Sequence, residues 1–451
     1  MENQSKYIRR RFKMWHKIVA LLLLLFVLFR VNGSLKVKKQ IENLRTKGYP
    51  VTLEELESWY NIPPGAENSA DVYMDAFSNY VEWDSEARKA LPVVGRAPLP
   101  ARTQPLDDPN QQLVKQFLSD NKKTLTLLHE AASIEHCRYP IDFIYELNQG
   151  APWLKNFRKC AHLLRLNVLI QCESKNSEKA LESIHSTFSL AKSSNVPLLL
   201  NQLIRIAVKA TAYKNIERTV NRVQLTEEQL MMLSSWIEEA DNDEGYKRAL
   251  IGENCIGLNT FRGHVKEISG EFGSKGGLGI VFLAFWRITG LNNRDATEYI
   301  KIMQEFIDAM ELSANERLLA FDSIQKDVDS GKRGGFLTRM LMPAFGRIMQ
   351  IEIRHLAHLR ATQTALAIER YRSTEGRLPQ SLENLVPAYM EVVPTDPFDG
   401  QDLKYRTLET GFVVYSVGED LTDEGGAERD SKKRDKKGKP LPWDITFIVE
   451  R

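Results

Sequence analysis

The sequence predicts a mainly α protein. It has an N-terminal transmembrane helix, an irregular helical body, and a small C-terminal α+β domain built from a long helix and a short antiparallel sheet. Three observations carry this reading. Ile18 to Phe29 is an unbroken apolar run. From about residue 110 to 330 apolar side chains recur at helical spacing almost throughout. Beyond Glu375-Gly376, prolines and glycines alternate with short β-rich runs. The 451 residues suggest two or three domains, and 43% hydrophobic residues can build a core, which excludes a disordered chain. The net charge of +2 is a cancellation: residues 1–47 carry twelve basic and two acidic side chains, a net of +10, so the remainder stands at −8. That distribution excludes a uniformly basic nucleic-acid binder.

The apolar run extends to Trp15 and Val31 past Lys17 and Arg30, whose stems can reach back along it. About 17 helical residues is the lower end of what crosses a bilayer. Lys6, Arg9, Arg10, Arg11, Lys13 and Lys17 precede it, and the positive-inside rule therefore places the N-terminus in the cytoplasm. A signal anchor in the cell inner membrane, with the bulk of the chain extracytoplasmic, is the favoured reading. A cleaved signal peptide shares the same basic start and apolar centre, but Phe29-Arg30-Val31-Asn32-Gly33-Ser34 offers no A-x-A pattern. A buried core helix is the third reading. Ile280 to Trp286 is too short to span and reads as buried core or as an interfacial contact.

The expected organisation is a cytoplasmic basic segment (1–17), the transmembrane anchor (18–31), a helical stalk with a proline-rich linker (32–110), the helical body (111–342) and the α+β domain (343–451). In the stalk, Thr52 with Glu55 forms a capping box, Ile62-Pro63-Pro64-Gly65 stops that helix, and Asn68 or Ser69 starts the next. Prolines 92, 98, 100, 105 and 109 forbid a regular element between Leu91 and Pro109. The body reads as helices near 152–173, 177–194, 197–222, 226–240 and 244–268, the fourth opened by a second capping box, Thr226 with Gln229. Asn292 or Asn293 caps a helix through Met310, and a last long helix covers about 344–373. Short strands follow at Leu403–Tyr405, Phe412–Ser416 and Ile445–Val449. Cys137, Cys160, Cys172 and Cys255 form no C-x-x-C. Cys160 and Cys172 lie about 18 Å apart on one helix, too far to bridge. Four buried thiols are favoured over a single bridge involving Cys137 or Cys255.

Several chemical motifs fall short. Glu182-x-x-His185 and Glu352-x-x-His355 match the unit of di-iron bundles, but each is a motif that chance supplies. His185 beside Ile184 and Phe188 reads as a partly buried structural histidine. In Glu352, His355 and His358 each three-residue step drifts by about 60°, so the row reads as a polar helix strip. Gly273 to Gly279 lacks the Gly-Lys-Ser/Thr of a phosphate loop and reads as a hinge. Seven basic residues between Arg429 and Lys439 read as a solvated loop that could contact anionic lipid or an acidic polymer.

One stretch carries a resemblance. Ala367-Ile368-Glu369-Arg370-Tyr371 leads to Gly376-Arg377-Leu378-Pro379, then Leu385-Val386-Pro387, Pro394-Thr395-Asp396-Pro397-Phe398 and Tyr415-Ser416-Val417-Gly418-Glu419-Asp420. In that order the motifs resemble the globular part of the major pseudopilin of type II secretion, over about 85 residues. The resemblance implies calcium (Ca2+) held by Asp420 and Asp444, with Asp423 as an additional nearby carboxylate. Hard oxygen donors on a loop suit that ion, but the basic insertion Arg429–Lys439 falls between them. The apolar helix sits at the opposite end of the chain from this module, which argues against polymerisation as a pilus subunit. The whole layout also resembles a group of large, uncharacterised bacterial membrane-anchored proteins, and that likeness implies an architecture without an activity. The expected function is a non-enzymatic scaffold or protein-interaction role at the cell envelope, with other envelope proteins as partners, no nucleic acid, and a link to secretion-type machinery. No small-molecule ligand is specified by the sequence. An envelope enzyme, hydrolytic or metal-dependent, with its site in the helical body is the alternative.

Overall fold

The computed structural model describes residues 2–143, 153–241, 244–263, 284–342, 345–429, 434 and 441–451, with side chains from Met14 onward. The glycine-rich 273–279 stretch, the first part of the Ile280–Trp286 run and nearly all of the basic 429–439 insertion lie outside the described residues.

The chain opens with α1 (Glu2–Thr46), then α2 (Leu53–Trp59), α3 (Ser69–Ser78), α4 (Ser85–Lys89), α5 (Asp108–Asp120) and α6 (Lys122–Ala131). The body continues through α7 (Leu154–Glu173), α8 (Ser177–Ser193), α9 (Leu199–Arg222), α10 (Glu227–Asp241) and α11 (Gly245–Arg262). Next come α12 (Leu291–Ala309), α13 (Ala314–Asp329), α14 (Phe336–Leu341) and α15 (Phe345–Glu375), then β1 (Lys404–Leu408), β2 (Gly411–Ser416) and β3 (Ile445–Val449). The fold is mainly helical with a small antiparallel sheet, as the sequence predicts. α12 begins at Leu291, just before the asparagines expected to cap it.

Two compact units share the chain. One takes Met1–Trp59, Leu250–Ala309 and Asp322–Ala344; the other takes Tyr60–Ala249, Met310–Phe321 and Phe345–Arg451.

In the first unit α1 is one continuous helix. The large apolar side chains from Ile18 to Phe29 are all exposed, between 37% and 60%, so the buried-core reading of this run falls. It is the one helix among the described residues long and apolar enough to cross a membrane. Past the apolar run, α1 turns a face inward at Leu44, and the chain re-enters at α2 through the expected cap. The Glu55 N–H donates to Thr52 Oγ1 (3.2 Å), while the Glu55 carboxylate accepts from the Val51 N–H at 2.8 Å. α11 and α12 supply the rest of this core. A Cβ at Gly257 would stand 2.0 Å from the Tyr299 hydroxyl, so only glycine lets these two helices approach as they do. Cys255 donates to the Thr52 carbonyl at 3.1 Å.

In the second unit α7, α8 and α9 pack mutually around Leu163, Leu166, Ile184 and Ile216, all fully buried. α9 carries polar residues inward where they have partners. Arg218 donates to the carbonyls of Ala101 and Gln104 and to Glu173, and Arg222 to Thr103 and Glu173. These bonds hold the proline-rich 98–105 stretch, whose own backbone cannot build a ladder. Asn68 caps α3, accepting from the Ala70 N–H, and ties it to the following chain by accepting from the Arg138 N–H at 2.8 Å. α15 ends at Gly376, whose φ of +68° is the left-handed exit that glycine permits. The strands lie in the order β1-β2-β3, both pairings antiparallel, with Phe412 opposite Val449 and Val414 opposite Phe447. Phe412, Val414 and Phe447 join Leu366, Ile368 and Leu385 in one core. All four cysteines are free and buried.

Candidate functional site

The C-terminal turn places the three predicted carboxylates unevenly. Asp444, at the entry to β3, is buried. Its Oδ2 accepts the N–H groups of Gly426 (2.7 Å) and Ala427 (3.2 Å), and its own N–H donates to the Ala427 carbonyl at 2.9 Å. Burial pushes its carboxyl up to about 6 against these hydrogen bonds. Asp423 Oδ1 accepts from the Tyr415 hydroxyl at 3.0 Å and from the Gly425 N–H at 2.8 Å. Asp423 and Asp444 therefore fold around the same Gly425-Gly426 turn. Asp420 is exposed and accepts from the Thr422 N–H at 3.2 Å. Asp444 Oδ2 is thus already engaged by two N–H groups of the turn. Among the described residues no group of three or more His, Cys, Asp and Glu gathers at metal-binding distance. Arg429, which opens the basic insertion, lies over the Trp443 ring, 5.4 Å from its centre.

Asp396 stands in the sequence only as part of the Pro394–Phe398 motif, with no role of its own. This buried carboxylate accepts from the Phe398 N–H (2.9 Å), the Ser416 hydroxyl (2.8 Å) and the Val417 N–H (2.8 Å). It locks the Pro394–Phe398 turn onto the end of β2, and burial raises its carboxyl. The two prolines bracketing it were the visible signal; the aspartate between them makes the long-range bonds.

A recess lies elsewhere in the same unit. A cavity of about 710 Å³ opens among α3, α8, α9 and α10, the start of α11, and two irregular segments around 61–63 and 132–137. Its size is that of a ligand pocket. Trp236, Phe188 and Tyr73 give it aromatic surface; Arg205, Lys209 and Arg248 bring positive charge; Glu135 and Glu244 bring negative charge. Lys192 and Glu239, both exposed, pair at 2.6 Å on the rim. The His185 ring tilts against Trp236 with centroids 4.9 Å apart, and burial lowers its basicity. Burial also pushes the Cys137 thiol up to about 11, so the wall carries a thiol at neutral pH rather than a thiolate nucleophile.

The histidine motifs behave differently from one another. His185 is half-buried, as expected, and lies in the cavity wall. In the Glu352-His355-His358 row, the polar helix strip of the sequence, His355 is buried and stacks on Tyr213 with centroids 5.6 Å apart. Burial, Lys214 and Arg354 push His358 down to about 4. His162 on α7, also near Lys214, is pushed down to about 4 by burial and by Arg158 and Arg165. α15 is covered by α9 and α10, and helical spacing on one chain cannot announce that cover.

No family model, curated protein sequence or solved structure matches this chain.

Proposed function

We propose that the chain is a single-pass, N-in membrane protein of the cell envelope. Its extracytoplasmic mass works by binding polypeptide, with the α3–α8–α9–α10 cavity as the receiving site. The observation that carries the reading is that cavity. It is large, walled by aromatic rings and by side chains of both signs, and rimmed by the exposed Lys192–Glu239 pair. Such a mixed lining suits a polypeptide segment, which offers apolar side chains, amides and charges together, better than a purely apolar or purely anionic ligand. The basic residues before Ile18 support the orientation. On the same reading residues 343–451 form a pseudopilin-like docking module through which other envelope proteins, secretion-type machinery among them, attach. The order of α15, the glycine exit and the three-stranded sheet supports that likeness.

The test is site-specific photo-cross-linking in native membranes. A photoreactive side chain at Ser189, inside the cavity, should capture one identified envelope polypeptide, and Trp236→Ala should abolish the adduct. The same group at the exposed Leu319 should not capture it. Equal capture from both positions, or none from Ser189, refutes the reading.

A further inference from the structure

The first unit carries apolar surface that its own core does not use, and its location follows from helix register. α1 and α12 run side by side in the same direction. A Cβ at Gly33 would stand 3.2 Å from the Asn293 Cβ. One helical turn or two further on, Gln40, Asn43 and Leu44 share a small recess with Ile300, Lys301 and Gln304. Beyond that the Lys47 ammonium meets the Asp308 carboxylate at 3.5 Å. The start of α12 is therefore level with the point where α1 leaves its apolar run, at Arg30 to Gly33. The chain just before α12 is held at that level too: Gly290, at φ +79°, lies so close to α1 that a Cβ there would be 2.9 Å from the Arg30 Cγ.

Residues 284–288 form a short helical stretch whose orientation is fixed. Trp286 faces inward, nearly buried, stacked on Phe261 at 6.2 Å. The Arg287 guanidinium donates to the carbonyls of Phe261, at 3.0 Å, and of Gly263. Phe285 and Ile288, three residues apart on a shared helical face, are thereby turned outward at 60% and 62% exposure, and Leu291 is exposed beside them. α14 is tied to the same end of α12. Its first N–H groups are received by Asp295, which accepts from Gly335 (2.8 Å) and Leu337 (2.9 Å) one turn into α12. Its Phe336 and Met340, spaced i,i+4, are exposed as well. Arg30, Arg294 and Arg339 are the exposed cations of these segments.

We propose that Phe285, Ile288 and Leu291 form a second, interfacial contact with the bilayer that α1 crosses. The inference rests on α1 being the membrane-spanning helix. Arg30 marks the headgroup level by its place at the end of the apolar run. Gly290 packs against Arg30, so Ile288 and Leu291, its near neighbours in the chain, lie close to that level, where apolar groups turned outward meet lipid instead of water. Aromatic and aliphatic side chains flanked by arginines are the composition of an interfacial segment on anionic lipid. The contact would fix the tilt and rotation of the first unit on the membrane, which one helix crossing alone leaves free.

The experiment uses the full chain reconstituted in vesicles of phosphatidylethanolamine and phosphatidylglycerol. Because the native cysteines are buried, Ile288→Cys or Phe285→Cys can be labelled selectively with an environment-sensitive fluorophore, with Thr46→Cys, exposed at the far end of α1, as the control. At 288 and 285 the emission should shift to the blue. Quenching there by a shallow spin-labelled lipid should exceed quenching by aqueous iodide several-fold, with the order reversed at 46. Labels at 285 and 288 as open to iodide as the one at 46 overturn the contact. So do labels shielded from iodide but untouched by the lipid quencher, which would mean a protein neighbour such as a second copy. Release of the chain by alkaline carbonate overturns the anchor itself and this contact with it. Retention with iodide-accessible labels overturns the interfacial contact alone.

Discussion

α1 and α7 are both leucine-rich helices, and they end in opposite environments. In α7, Leu163, Leu164, Leu166 and Leu169 are buried among α8 and α9, and Phe157 is fully enclosed. In α1, Leu21 to Leu25 lie outside with more than half of each side chain exposed. Hydrophobic stabilisation comes from removing apolar area from water, and it does not distinguish a protein neighbour from a lipid one. α7 obtains that removal from its fold, whereas α1 obtains it only from a bilayer. The same residue type therefore reports on stability in one helix and on location in the other.

Substitutions should separate these two roles, and the largest effect belongs to the buried helix. Phe157→Ala should destabilise the fold by about 3–5 kcal/mol, seen as a marked fall in Tm, whereas Leu24→Ala should leave Tm unchanged. An equal fall for both would erase the distinction. Next in size is Leu24→Arg, which places a charge mid-span at about 2.5–3.5 kcal/mol. The expected result is a larger fraction released from membranes by alkaline carbonate, with the helical circular dichroism of the released protein intact. Loss of helical signal instead would mean that α1 supports the fold.

Acid should act on the second unit through His162 on α7 and His358 on α15. His162 and His358 have folded pKa values near 4, against about 6.5 when exposed. The fold favours the neutral ring, so the unfolded chain binds more protons between these values. Their contribution is complete above about pH 6.5 and is lost as the pH falls towards 4. The expected loss is about 1–3 kcal/mol per histidine once solvent screening is allowed for. Denaturant titrations from pH 7.5 to 4 should show that slope, and the His162→Gln/His358→Gln double variant should flatten it. The smallest effect is local. Thr226→Ala removes the cap of α10 and should cost about 1 kcal/mol, read as a shift in urea midpoint with the m-value unchanged.

The legible parts of the fold were those whose partners lie close in sequence. At α10 the Thr226 N–H donates to Gln229 Oε1 at 3.2 Å and the Gln229 N–H to Thr226 Oγ1 at 3.3 Å, as the capping box implies. α7, α8, α9 and α15 begin and end within two or three residues of where periodicity, Gly and Pro put them. The candidate sites were less legible. Asp423 and Asp444 could be singled out from the order of motifs, and the structure does gather them at one turn. Asp396 joins residues about twenty positions apart, and the cavity draws its wall from segments between Asn61 and Arg248. The inward face of the Glu352–His358 row depends on α9 lying across it. None of these leaves a short-range pattern.

The sequence by itself determined the apolar run with its basic flank, the helical class of the body, most helix ends and the small sheet. Each of these is set by periodicity, capping or turn chemistry within a few residues. Only the tertiary structure decided which apolar helix is enclosed and which is left to lipid. It also decided that Gly257 must be glycine for Tyr299 to fit, and that α12 stands beside α1 in parallel, with Gly290 against Arg30 and Phe285 and Ile288 turned outward. These are decisions about pairs far apart in the chain. Their free energy exists only once distant surfaces have met, and no local run of residues encodes which surfaces those will be.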